Sequence, residues 1–136
     1  MDNLFLSPLE MSRAISDIGE KKACETIFEL FIFGILAGIY IAFGAAVATA
    51  VLSGGTLDAG LAKFLAGSVF SLGLILVLIL GSELFSGNIL MTIGLIDQRY
   101  SFVKVLRNWL VVYFGNFLGA LIIAGVGVAC GRRRIH

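Results

Sequence analysis

The sequence predicts an all-α membrane protein with three transmembrane helices, the second of them interrupted by a loop. Composition points there first: of 136 residues, 59% are hydrophobic and only 14% charged, with a mean hydropathy of +1.01. The charges also cluster. Uncharged runs extend from Leu30 to Leu57, Phe64 to Ser82 and Asn108 to Gly131, each near or above the roughly 18–20 residues that cross a hydrocarbon core about 30 Å thick. A third observation is the polar stretch Gly81-Ser82-Glu83-Leu84-Phe85-Ser86-Gly87-Asn88, set inside the second apolar region. A very apolar soluble core is the competing reading, and the length of the runs argues against it.

Several function classes drop out early. A net charge of +1 gives no reason to expect nucleic acid as a partner. His136, the last residue, is the sole histidine, so one copy of the chain can assemble no His-based metal site or internal proton relay. No metal site, cofactor or enzymatic nucleophile–base pair is expected. Cys24 and Cys130 fall at opposite ends of the apolar region, so three spans place them on opposite sides of the bilayer. That separation far exceeds the roughly 7 Å reach of a disulfide. Residues 1–29 carry acids and bases throughout, which predicts no secretory signal peptide.

Taken in order, Ser7-Pro8-Leu9-Glu10 reads as a capping box with proline at the first helical position. Met11, Ile15 and Ile18 follow at helical spacing among Arg13, Asp17 and Glu20, predicting a short amphipathic helix at the membrane surface. A plain solvated lead-in is the alternative. The first span is expected from about Ile27 to Leu52, with Glu29 at headgroup level and Gly34, Gly38 and Gly44 offering small faces for helix contact. Ser53-Gly54-Gly55 ends it. The second apolar region, Leu61 to Ile96, is too long for one straight crossing and too short for two. A polar loop from Asp97 to Lys104 leads to a third span over Val105 to Cys130.

Basic residues orient these spans. Arg13, Lys21 and Lys22 precede the first, and Arg99, Lys104 and Arg107 follow the second. The positive-inside rule places both segments, and the N-terminus, in the cytoplasm. A multi-pass protein of the cytoplasmic (inner) membrane is the expectation. Segments 1–26, 27–130 and 131–136 then read as N-terminal amphipathic segment, three-span unit and basic tail. Arg132, Arg133 and Arg134 end up outside, against the rule.

The polar stretch has two readings. In one, a half-helix ends near Gly81 and another starts near Asn88, whose side chain caps it. Non-helical backbone at that depth survives only where protein buries it or a cavity hydrates it. In the other, a glycine kink leaves the helix continuous and the polar groups bond to neighbouring helices.

The runs Phe70-Ser71-Leu72-Gly73-Leu74-Ile75-Leu76, Gly81 to Asn88, Arg107-Asn108-Trp109 and Val112-Tyr113-Phe114-Gly115-Asn116-Phe117-Leu118-Gly119-Ala120 together resemble the formate/nitrite transporter family. Leu6-Ser7-Pro8 and Ile41-Ala42-Phe43-Gly44 are similar too, so the resemblance covers roughly residues 4–130. It implies half of an aquaporin-like six-helix fold, made in the family from two inverted three-span repeats. It further implies a homo-oligomer, the family pentamer, with one pore per protomer for a small monovalent anion such as formate or nitrite.

By position, the resemblance makes Phe70, Leu74, Leu84 and Phe85 pore-constriction residues. Ser86, Gly87 and Asn88 become the pore loop and its anion contacts, with Ser86 where the family usually has threonine. Glu83 reads as a loop-holding group, Asn108 and Asn116 as helix-to-helix hydrogen bonds, and Gly115 with Gly119 as close packing. The match is to the first repeat alone. The family's pore histidine and lysine, both in the second repeat, have no counterpart, so the expected object is a truncated member. Two functions follow: a channel half that works with a complementary second-repeat chain or an inverted copy of itself, or a non-transporting remnant that associates with other membrane subunits.

Overall fold

A computed structural model describes residues 6–55 and 57–132 and contains, among them, six helices: α1 (Pro8–Cys24), α2 (Ile27–Ser53), α3 (Ala59–Ile79), α4 (Phe85–Asn88), α5 (Met91–Ile96) and α6 (Phe102–Arg132). Three of them, α2, α3 and α6, are long and apolar enough to cross a membrane. The basic tail expected at 131–136 lies, from Arg133 onward, outside the described residues.

Helix α2 is the hub, packed against α6 along one face and α3 along another. Lipid supplies no hydrophobic drive between helices, so close van der Waals fit has to hold them, and small residues permit it. A Cβ at Gly34 would lie 3.3 Å from the Val112 carbonyl of α6, and one at Gly44 would lie 2.9 Å from the Phe70 carbonyl of α3. Gly115 and Gly119 of α6 return the contact, the first against Phe31 and Gly34, the second against Ile35, Gly38 and Ile39. The apolar side chains that point away, such as Phe28, Phe64 and Ile79, are exposed, as lipid-facing positions are.

Helix α1 begins with the expected capping box: the Ser7 N–H donates to Glu10 Oε2 (2.7 Å), and the Glu10 N–H donates back to Ser7 Oγ (3.4 Å). Its small residues Ser16, Gly19 and Ala23 are buried. Tyr100 lies against both Gly19 and Gly94 of α5, and its hydroxyl donates to the Met91 carbonyl (2.6 Å). Ser16 Oγ donates to Asp97 (2.7 Å), Arg99 pairs with Asp17 and Glu20, and Arg107 donates to the carbonyls of Ala23 and Glu25. So α1 is pinned to the turn between α5 and α6, leaving Leu9, Met11 and Ile18 exposed. A second capping box starts α2, where the Thr26 N–H donates to Glu29 and the Glu29 N–H to Thr26 Oγ1. Glu29 therefore has a local partner set and not only a headgroup-level position.

The second apolar region is broken, not kinked. Regular helical bonding ends with the Leu80 N–H on the Leu76 carbonyl, and Gly81 then takes φ +64°. The Ser82 N–H folds back to the Val77 carbonyl (3.0 Å), the six-to-one bond of a Schellman stop. Open space surrounds the Cβ position of Gly81, so backbone conformation, not crowding, selects glycine there. The restart differs from expectation. It comes at Phe85, three residues earlier, with Leu84 at the N-cap and no side-chain cap. Asn88 closes α4 instead of opening a helix, because its amide is committed to long-range partners. After Ile89 and Leu90, α5 continues to Ile96 and ends in a second stop of the same kind, with Gln98 at φ +57° and the Arg99 N–H on the Gly94 carbonyl. Helix α6 starts at Phe102, a turn before the expected Val105.

The interrupted span and its two grooves

Residues 80–84 form a non-helical bridge between α3 and α4, and protein satisfies several of its polar groups. The Glu83 N–H donates to the Phe33 carbonyl of α2 (3.2 Å). Asn116 of α6 donates to the Glu83 carbonyl (2.9 Å) and to the Gly34 carbonyl (2.8 Å), and accepts from the Phe85 N–H (2.9 Å). The N–H groups of Gly87 and Asn88 both reach the Leu84 carbonyl (3.0 Å each). Among the described residues, the N–H groups of Gly81, Leu84 and Ser86 have no hydrogen-bond partner. Non-helical backbone this deep needs such satisfaction.

On the α1 side sits a charged network. Lys22 Nζ donates to both Glu83 oxygens (2.7 Å each) and to Asn88 Oδ1 (2.8 Å). Asn88 Nδ2 donates onward to Glu83 (2.7 Å) and to Asn108 Oδ1 (2.8 Å). Asn88 is 1% exposed and Asn108 fully buried. Trp109 Nε1 adds a bond to the Asn88 carbonyl (2.9 Å). Four segments meet here: α1, the bridge, α4 and α6. Among the described residues, Ser82 Oγ and Asn108 Nδ2 are buried without a partner, as is Glu25 Oε2 nearby. Burial pushes the Glu25 carboxyl above its ordinary range, reinforced by the Glu83 charge and opposed by Lys22.

Two grooves meet at the bridge. The inner one, on the α1 side, is lined by Lys22, Leu74, Val77, Leu78, Ser82, Leu84, Ser86, Gly87 and Asn88. The outer one, of about 390 Å³, runs between α2 and α6 over Gly38, Ile41, Ala42, Tyr113, Phe117 and Ala120, and meets Leu84, Phe85, Ser86 and Asn116. Leu84 and Ser86 line both. Phe85 packs edge-to-face on Trp109 (6.2 Å) and Tyr113 (5.6 Å), which fixes its ring at the mouth of the outer groove.

The residues singled out in the sequence thus fall into groups. Leu84 and Ser86 occupy the junction, Phe85 the outer groove, and Leu74, Gly87 and Asn88 the inner one. The side chain of Asn88 is turned into the buried network. Phe70 lines neither groove and is 42% exposed on α3. Glu83 and Asn108 belong to the network, Asn116 to the bridge, and Gly115 and Gly119 to the α2–α6 contact.

The sequence profile of the formate/nitrite transporter family matches residues 9–132, nearly the whole described structure. This chain belongs to that family. It is 40% identical over 128 residues to the probable formate transporter of Methanothermobacter thermautotrophicus, covering 91% of this chain and 47% of the relative. The formate channel FocA of Haemophilus influenzae is also 40% identical over 128 residues, covering 93% and 45%. FocA of Escherichia coli is 36% identical over 124 residues, covering 89% and 44%. The chain therefore spans about half the length of the curated relatives it matches. With three membrane-length helices and transporter relatives, it is a multi-pass membrane protein.

Sequence reasoning missed Lys22 as a member of the site and used it only for orientation. Its partner Glu83 lies 61 residues away, a separation that no local pattern encodes. The Thr26–Glu29 capping box was visible as T-x-x-E before an apolar run.

Proposed function

We propose that this chain forms one side of a transmembrane passage for small monovalent anions, formate or nitrite among them, as the first half of a formate/nitrite transporter-type channel. One observation carries the reading: two grooves converge on an interrupted helix at Leu84 and Ser86. Around that junction the backbone is held by bonds from α2, α4 and α6. The spans form half of an aquaporin-like arrangement, with the N-terminus cytoplasmic and the inner groove opening on that side. A complementary second-repeat chain or an inverted copy supplies the missing wall, and the complete unit assembles as the family pentamer.

The passage works by controlled desolvation. Leu74, Leu84 and Phe85 exclude water, so an anion arriving there loses hydration, and Phe70, outside both grooves, joins them only where a completing half closes over α3. The Ser86 hydroxyl and the unpaired N–H groups of Leu84 and Ser86 replace part of that hydration with fixed dipoles. Glu83 does not meet the anion, because Lys22 and Asn88 already saturate its carboxylate. Asn88 acts through the same network, not as an anion contact.

A second reading, a non-transporting subunit that associates with others, draws on neither groove being closed over by the described residues. Flux separates the two. The chain reconstituted in vesicles with a second-half chain is expected to carry formate down its gradient. Ser86→Ala is expected to lower that flux about tenfold, the effect of removing one aimed donor. No flux from a correctly inserted assembly, alone or completed, favours the second reading.

A further inference from the structure

The unusual use of Asn116 carries one step further, resting on the transport reading above. Its amide makes three bonds to three different main-chain groups: Glu83 O, Phe85 N and Gly34 O. Both Nδ2 hydrogens and one Oδ1 lone pair are therefore used, and an amide flip would turn the oxygen toward two carbonyls. Two of the three bonds bracket a single residue. Leu84 is extended, at φ −103° and ψ 128°, and in extended chain the carbonyl before a residue and the N–H after it point the same way. Asn116 takes that pair as a neighbouring strand would. The N–H and C=O of Leu84 itself are thereby sent to the opposite side, where the carbonyl receives Gly87 and Asn88 and starts α4.

The reach of Asn116 depends on its neighbours. Gly115 and Gly34 bring the backbones of α6 and α2 together, Gly34 lying against Val112 and Gly115. A larger residue at either position would push α6 outward and lift the amide off the bridge. Asn116 also lines the outer groove next to Leu84, Phe85 and Ser86, so any shift of the bridge moves the surfaces that face the passage.

We propose that Asn116 is the positioning residue of the passage, setting the direction of the Leu84 peptide and hence the discrimination between anions, and is more than a link between α2 and α6. The test compares Asn116→Leu and Asn116→Asp with Gly44→Ala, which disturbs the bundle at the α2–α3 contact against Phe70 and Gly73, away from α6 and the bridge. Two readouts are taken on the full chain in vesicles, with a second-half chain supplied for flux.

The first readout is amide hydrogen exchange. Asn116→Leu is expected to speed exchange at Phe85 about tenfold or more, whereas Asn116→Asp retains an acceptor and keeps Phe85 protected. The second is the ratio of formate to acetate flux, expected to shift at least severalfold in Asn116→Leu and to stay constant in Gly44→Ala as total flux falls. Unchanged exchange at Phe85 in Asn116→Leu overturns the proposal, and so does a ratio that moves equally in Gly44→Ala. Should Asn116→Leu not fold, an unchanged flux ratio in the Asp variant, which loses both donated bonds, overturns it as well. Absence of wild-type flux defeats the transport reading alone, because the exchange experiment still decides whether Asn116 sets the bridge.

Discussion

Two constructions hold the same interrupted span, and they use opposite chemistry. On the inner side, Lys22, Glu83, Asn88 and Asn108 form an ionic cluster at the end of the bundle, where Lys22 keeps partial access to solvent. On the outer side, a single neutral amide, Asn116, satisfies three main-chain groups. The difference follows cost. A charge at depth is expensive, so an ion pair belongs where water is near, and a neutral amide serves farther in. The proposed anion passage would add its own constraint: an unpaired carboxylate facing the path would repel the cargo, and the inner cluster pairs Glu83 with Lys22 and Asn88.

Breaking the ionic side is expected to have the largest effect. Glu83→Leu strands Lys22 and part of Asn88, with a loss of about 3–5 kcal/mol typical of a broken buried pair. Thermal unfolding in detergent measures it. Lys22→Met combined with Glu83→Leu is expected to cost clearly less than the sum of the two singles, the mark of a direct interaction; additive losses would contradict the pairing. Next comes the packing beneath the neutral side. Gly119→Ala forces a Cβ onto the Ile35 carbonyl, and overpacking against backbone costs about 1–3 kcal/mol.

The two helix stops sharpen the comparison further, since they share a geometry but not a residue. Gly81→Ala places a side chain at φ +64° and is expected to lose about 1–2 kcal/mol. Gln98, at φ +57°, already bears that strain, so Gln98→Gly is expected to stabilise by a similar or smaller amount. Equal signs for these two variants would contradict the assignment of both stops.

The smallest effect concerns pH. Burial raises the Glu25 carboxyl above its ordinary 4.5, so the folded state favours its protonated form. That contribution is fully present below the unfolded value and is lost as pH rises through the raised one. Glu25→Gln is expected to flatten this part of the stability–pH curve and to stabilise slightly at neutral pH.

Much of the architecture was legible in the sequence, for stated physical reasons. Span length and charge-free runs fixed three crossings, and Ser7 and Glu10 gave the first helix start. The break at Gly81 was legible only as one of two alternatives, because a positive φ leaves no mark that separates it from a kink glycine. Asn88 was misplaced as a helix cap. Local rules favour that role for asparagine, and its actual partners come from α1, α6 and the bridge. Asn116 was legible as a bonding residue between helices, but its grip on Glu83 and Phe85 arises only once α6 is packed on α2.

Thiol labelling probes the central claim most directly. With Cys24 and Cys130 replaced by alanine, Ser86→Cys and Leu72→Cys variants are exposed in the bilayer to a small, membrane-impermeant anionic methanethiosulfonate. Rapid modification at position 86, protected by excess formate, alongside an inert position 72 is the result expected of a residue bordering a wet anion path. A thiol at 86 that stays as unreactive as the one at 72 would contradict it.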